Sequence, residues 1–199
     1  MTSRLVLASA SIARLTTLRR AGIQPEVIVS DVDESTVTGP TPAATAELLA
    51  GVKADTVAGR LGPEPGLLVL GCDSLLELDG QALGKPGTPE AATARWRGMR
   101  GRAGVLHTGH CLLQPATGLR VLATASTTVH FAAVTDAEID AYVATGEPLH
   151  VAGAFTIDGR GGAFVERIEG DHHNVVGVSL PLLRQMVTAV GVAWTDLWA

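Results

Sequence analysis

The sequence predicts a mixed α/β fold, with an elongated central sheet flanked by helices. Three observations predict it. Leu5–Ala8 and Leu67–Gly71 are short, continuous apolar runs, the pattern of strands buried on both faces. Helical stretches alternate with such runs, as a layered α/β chain requires. Hairpin signals are present as well: Asp79-Gly80, and a turn around Pro115–Gly118 between two long strands running from Val105 to Phe131. Hairpins rule out a purely parallel sheet and leave a mixed one. The 199 residues fit one domain, spanning 1–199, or two closely joined lobes. Hydrophobic residues at 46% fill a sizeable core; with aromatics at 4% it is expected to consist mostly of Ala, Val, Leu and Ile.

Each element has its own local reason. After Leu5–Ala8, Ser9-Ala10-Ser11 breaks the strand and Ser11 caps a helix over Ile12–Ala21, closed by Gly22. Glu26–Ser30 alternates as a strand, and Asp31–Thr41 is an acidic loop. Pro42 to about Val57 is a helix with Thr41 as its cap and proline in its first turn. The strand Leu67–Gly71 is expected to end at Cys72-Asp73-Ser74, with Leu75–Leu78 continuing into the hairpin. Thr88-Pro89-Glu90 opens a helix to about Met99, and Thr135-Asp136-Ala137-Glu138 is a capping box for another that ends near Gly146. Val151–Arg167 is glycine-rich and reads as strands and tight turns. Ser179 to about Val190 is the last long helix.

Composition narrows the function. The formal charge is −5 with no basic block, which argues against a nucleic acid polymer as partner but permits a local positive pocket for one small anion. Two cysteines, Cys72 and Cys111, both in apolar runs, read as buried free thiols. The apolar run after Met1-Thr2-Ser3-Arg4 is too short for a signal-peptide core, and nowhere do about 18 apolar residues follow one another, so no membrane association and a cytoplasmic location are expected. Of fifteen basic residues only Lys53 and Lys85 are lysine. A compact ammonium suits a single phosphate oxygen, where arginine offers a planar fork.

Four groups of residues could carry chemistry. Ser9, Ser11 and Arg14 follow a strand and open a helix, where free N–H groups and partial positive charge favour phosphate; an ordinary capped helix has the same pattern. Asp73 is placed at the carboxyl end of a buried strand, where ligands of α/β sheets gather, and could hold a metal or orient water. A turn-forming aspartate fits there too. Lys85, in Gly84-Lys85-Pro86, is a rigid lysine after a hairpin, but the spacing is not that of a P-loop. Glu34, near Asp31 and Asp33, offers oxygen ligands of the kind Mg²⁺ or Mn²⁺ takes. The six histidines read as structural or surface residues, and no serine–histidine motif stands out.

Taken in order, these fragments resemble the Maf family of nucleoside triphosphate pyrophosphatases. They are Leu5-Val6-Leu7-Ala8-Ser9-Ala10-Ser11 with Arg14, then Asp33-Glu34, Lys53-Ala54, Gly71-Cys72-Asp73-Ser74, and Asp79-Gly80 through Leu83-Gly84-Lys85-Pro86. Tyr142 with Gly146-Glu147-Pro148, Ala152-Gly153-Ala154-Phe155, Gly170 and Asn174-Val175-Val176-Gly177 complete the set. The resemblance implies an ITPase-like mixed α/β fold of two lobes with a cleft, a homodimer, and hydrolysis of NTP to NMP and pyrophosphate with Mg²⁺ or Mn²⁺. It makes Asp73 the general base, joins Glu34 to Asp73 near the metal, and gives Ser9, Ser11, Arg14, Lys53 and Lys85 the phosphates. Ala13, Ser74 and Asp158 fall where the family varies with the nucleobase. They match neither the dTTP/UTP enzymes nor the 7-methyl-GTP enzymes, so pyrimidine and modified nucleotides are both expected candidates. Ala13 and Val151 also stand where the family carries more positive charge. On that ground the alternative is a nucleotide-binding regulator of cell division with little catalysis.

Overall fold

The apolar run at the start of the chain becomes β1 (Arg4–Leu7), fully buried from Leu5 onward. The computed structural model describes residues 3–199; Met1 and Thr2, which head the stretch read above for a signal segment, lie outside the described residues. The other strands are β2 (Glu26–Val27), β3 (Leu67–Leu78), β4 (Gln81–Leu83), β5 (Ala103–Gln114), β6 (Leu119–Phe131) and β7 (Val165–Glu169). The helices are α1 (Ile12–Arg20), α2 (Pro42–Leu61), α3 (Pro89–Met99), α4 (Asp136–Ala144), α5 (His172–Val176) and α6 (Leu180–Ala189). The sheet runs β2-β1-β3-β5-β6-β7, with β4 also on β3. β1 is parallel to β2 and β3, and all other pairs are antiparallel. The expected mixed sheet flanked by helices is therefore the fold. Among the described residues no helix is long and apolar enough to cross a membrane.

Four local expectations are corrected. The strand does not end at Cys72-Asp73-Ser74: β3 is continuous, because β5 pairs with it without a break from Val69 to Glu77. The fall in hydropathy marks where β1 stops covering β3, since their pairing ends at Leu70. Beyond Val27 the Glu26–Ser30 stretch leaves the sheet, and the Arg60 guanidinium takes the carbonyls of Val29 and Ser30 instead. α2 runs past Val57 to Leu61, where Gly62, at φ 76°, stops it. In Val151–Arg167 only β7 is a strand; the rest includes 3-10 turns at Ala152–Ala154, with left-handed backbone at Gly153 and Ala154, and at Arg160–Phe164. α5, capped by Asp171, had no counterpart in the sequence reading.

The core falls into three clusters. Two flank the sheet around β1 and the first half of β3: one holds Leu7, Leu70, Cys72 and Met186, the other Val6, Val69, Ala54 and Val57. These are aliphatic, as expected from composition. The third, around Leu76, Leu106 and Val129, holds five of the seven aromatics. There Trp96 is fully buried, meets Phe131, Tyr142 and Phe164 edge to face, and donates its Nε1–H to the Ala154 carbonyl at 2.8 Å.

α2 lies unusually close to the sheet because glycines face alanines. A Cβ on Gly71 would stand 2.1 Å from the Ala50 carbonyl oxygen, and one on Gly109 would stand 2.2 Å from that of Ala46. Gly71→Ala must push α2 off the sheet and is expected to lower unfolding free energy by about 2 kcal/mol or more. Urea unfolding measures this, and a loss under about 0.5 kcal/mol would show that the helix shifts freely.

Candidate functional site

One edge of β3 is interrupted. β1 pairs with it through Leu70 and β4 from Leu76, so among the described residues Gly71 to Leu75 have β5 on one side and no strand on the other. Side chains alternate across a strand, so Asp73 and Ser74 leave this segment on opposite faces. The turn after β1 and the N-terminus of α1 stand beside Ser74; Lys53, on α2, stands beside Asp73.

At α1, Ser11 caps the helix by accepting from the Arg14 N–H, as its position predicts. Arg14 is buried and turned inward. Its Nε donates to the Gly177 carbonyl at 2.7 Å, one Nη to Ser9 Oγ at 2.9 Å and the other to Ser74 Oγ at 3.0 Å. Three of the five guanidinium N–H groups are thus engaged, and two are left for a ligand. Ser74 passes its own hydrogen to Thr108 Oγ1 at 2.9 Å, since Thr108 donates to the Asn174 carbonyl.

On the other face Asp73, 6% exposed, accepts from Lys53 Nζ at 2.5 Å. The same ammonium donates to Glu34 Oε1 at 2.7 Å, and Lys85 reaches Glu34 Oε2 at 3.4 Å. Glu34 arrives on a 3-10 turn capped by Asp33. Partial burial pushes the Glu34 carboxyl up, but the hydrogen bond and charge of Lys53, joined by Lys85, outweigh it and hold the group below the usual carboxylate range. Both lysines of the chain and the two expected metal-binding carboxylates therefore form one linked, formally neutral cluster.

Neighbouring groups are inert by comparison. Burial pushes the Cys72 thiol up to about 12 and Cys111 to about 11, so both stay protonated at neutral pH. Burial lowers His110 to about 4; its Nδ1–H donates to the Thr108 carbonyl and its Nε2 accepts from the Ser179 N–H, the pattern of a neutral structural imidazole. His107 links Ser126 Oγ at 2.8 Å to Glu77 Oε2 at 3.0 Å, an alignment invisible in the sequence. Ser126 stands mid-strand in β6, not on the strained turn that presents a nucleophile.

Of the residues expected to set base preference, Ser74 is a link between Arg14 and Thr108, and Ala13 is half-buried on α1. Asp158 is exposed and lines a pocket of about 180 Å³ with Thr16, Thr17 and Arg20 of α1 and His172 and His173 of α5. That pocket does not include Asp73 or Lys53. Sequence reasoning gave no role to Thr108, Asn174 or Gly177, which anchor Arg14. The Asn-Val-Val-Gly motif was the available signal for two of them.

A family model described as Maf-like protein matches residues 4–190. The chain belongs to the Maf family. It is 62% identical to a protein of Streptomyces coelicolor named nucleoside triphosphate pyrophosphatase, over 98% of this chain and 95% of that one. A protein of Gloeothece citriformis with the same name is 49% identical over the full length of both. Among solved structures, the Staphylococcus aureus Ham1 protein is 18% identical, covering 66% of this chain and 73% of that one, at a TM-score of 0.47. The Maf match runs from β1 to the end of α6 and includes every site residue named above; the C-terminal turn at Trp194–Leu197 lies beyond it.

Proposed function

We propose that this chain hydrolyses a nucleoside triphosphate to the monophosphate and pyrophosphate. The observation that carries this reading is the buried Asp73–Lys53 pair beside the open edge of β3, with a helix N-terminus and a second lysine close by. Membership of the family, and the names of relatives up to 62% identical, support it. Asp73 orients the attacking water and takes its proton as the new bond to the α-phosphorus forms and the bond to the bridging oxygen breaks. Pyrophosphate leaves with that oxygen. Lys53, Lys85, Arg14 and the Ser9–Ser11 turn oppose the charge on the phosphate chain. The bound nucleotide lies between two lobes, one packed on the aliphatic clusters and the other on the aromatic one, with β3 crossing both.

Glu34 and Asp73 fit a divalent cation. Their oxygens Oε1 and Oδ1 converge on one point, now served by the Lys53 ammonium. Two carboxylates would suit Mg²⁺ or Mn²⁺, with phosphate oxygens and water completing the shell. Such an ion would add electrostatic stabilisation of the phosphate charge.

The substrate is a pyrimidine or modified nucleotide in this reading, because Ala13, Ser74 and Asp158 depart from the patterns of better-defined relatives. The test is a product assay over dTTP, UTP, CTP, GTP, ITP and 7-methyl-GTP, with Mg²⁺ and then Mn²⁺. Equal release of monophosphate and pyrophosphate from at least one is expected. Orthophosphate with a diphosphate, or tight binding without any product, would overturn it.

A further inference from the structure

Glu147 belongs to the Gly146-Glu147-Pro148 motif and has no part in the chemistry above. It follows α4, set off by Gly146 at φ 75°. Its carboxylate is the hub of a closed set of hydrogen bonds. Oε1 accepts from Tyr142 Oη at 3.0 Å, Thr156 Oγ1 at 2.6 Å and the Gly161 N–H at 3.0 Å. Oε2 accepts from the Arg160 N–H at 3.2 Å. The Tyr142 hydroxyl accepts from the Thr156 N–H in turn. Among the described residues no Lys, Arg or His side chain lies within 4.0 Å of this carboxylate, so its charge is met by neutral donors alone. Burial pushes the carboxyl up, but these donors outweigh it and hold it below the usual range, ionised at neutral pH.

The loop is shaped to fit. A Cβ on Gly159 would stand 2.7 Å from Glu147 Oε1, and one on Gly161 would stand 2.4 Å from the Tyr142 hydroxyl. Residues 156–161 therefore wrap one carboxylate, and Asp158 is carried outward at the tip, into the pocket it shares with α1. α1 is the helix whose first turn carries Ser11 and Arg14. The pocket is lined by Thr16, Thr17 and Arg20, the part of α1 that follows Arg14, and by α5, so where the tip stands against that part of the helix depends on what holds the loop.

We propose that Glu147 is a positioning residue for nucleotide selectivity: it pins residues 156–161 so that Asp158 stands at a fixed place beside α1. This rests on the reading of the site as a triphosphate site, but its test does not need turnover. In the free protein, Glu147→Gln keeps the shape and removes the charge that four donors share. The Arg160 and Gly161 amides are expected to exchange hydrogen at least about tenfold faster in this variant, with exchange in β3 and β5 unchanged. Dissociation constants for α,β-methylene analogues of UTP and GTP, which cannot release pyrophosphate, report selectivity. Their ratio is expected to move toward one by about fivefold or more, the size of a loss of one or two hydrogen bonds. Asp158→Ala is expected to change the ratio in the native background, and to change it less than twofold when added to Glu147→Gln. Unchanged amide exchange, an unchanged ratio, or a full additive effect of Asp158→Ala would each overturn the proposal. Failure of the pyrophosphatase reading would appear separately, as absence of product from the native protein.

Discussion

Asp73→Asn is expected to reduce pyrophosphate release by about a thousandfold or more while the protein stays folded. Asparagine keeps the shape of the side chain and one oxygen to accept from Lys53 Nζ, so the bond that fixes Asp73 in β3 has a substitute. What it lacks is the capacity to take a proton from water. The flanking ladder to β5, with Asp73 opposite Gly109, does not depend on the carboxylate. The measurement is kcat with the best nucleotide of the panel, alongside a thermal melt. Activity within about tenfold of the native protein would remove Asp73 from the role of base, because a general base contributes at least about a hundredfold.

Lys53→Met has the second largest expected effect, and it falls on stability as well as on activity. Lys53 is 7% exposed and the only cation within 4.0 Å of Asp73 among the described residues; Glu34, half-buried, shares it. Methionine fills the space but leaves two carboxylates facing each other, with Lys85 on the outer side of Glu34 alone. Removing one partner of a buried pair costs about 3 kcal/mol, at the low end of its range here because Glu34 is partly open to water. Adding Asp73→Asn should recover part of that loss, since the charge left unpaired is then gone. Urea unfolding of the two single variants and the double one reads this directly. A loss below about 1 kcal/mol for Lys53→Met would mean that Asp73 finds another partner or water at little cost.

How much of this was written in the sequence depends on the range of the interactions. Ser11, Thr41, Thr88 and Thr135 cap helices through contacts three residues away, and all four were legible. Asp79-Gly80 makes its hairpin with φ of 52° and 77°, as the pair predicts. The two lysines drew attention by composition, and the structure brings both to Glu34. The placement of Asp73 was misread because local hydropathy reports coverage by β1, whereas continuity of β3 is decided by β5, more than thirty residues away in sequence. The Arg14–Ser74–Thr108–Asn174 chain spans still longer separations and leaves no periodic trace. Glu147 is the sharpest case: a motif glutamate whose partners lie in a glycine-rich stretch that, without it, reads as strands.

The close approach of α2 to the sheet has a consequence for how this protein can vary. Gly71 and Gly109 of the sheet face Ala46, Ala50 and Ala54 of α2, and Lys53 is carried on that same helix. A methyl group added at Gly71 or Gly109 would meet the α2 backbone, lift the helix and draw the Lys53 ammonium away from Asp73. These positions therefore behave as a spacer of fixed thickness, and a change on one side is tolerated only with a matching loss of volume on the other. A mutant library aimed at new substrates would hold this seam constant and place its diversity at Ala13, Ser74 and Asp158. Variants that break the rule should be recovered only as paired changes.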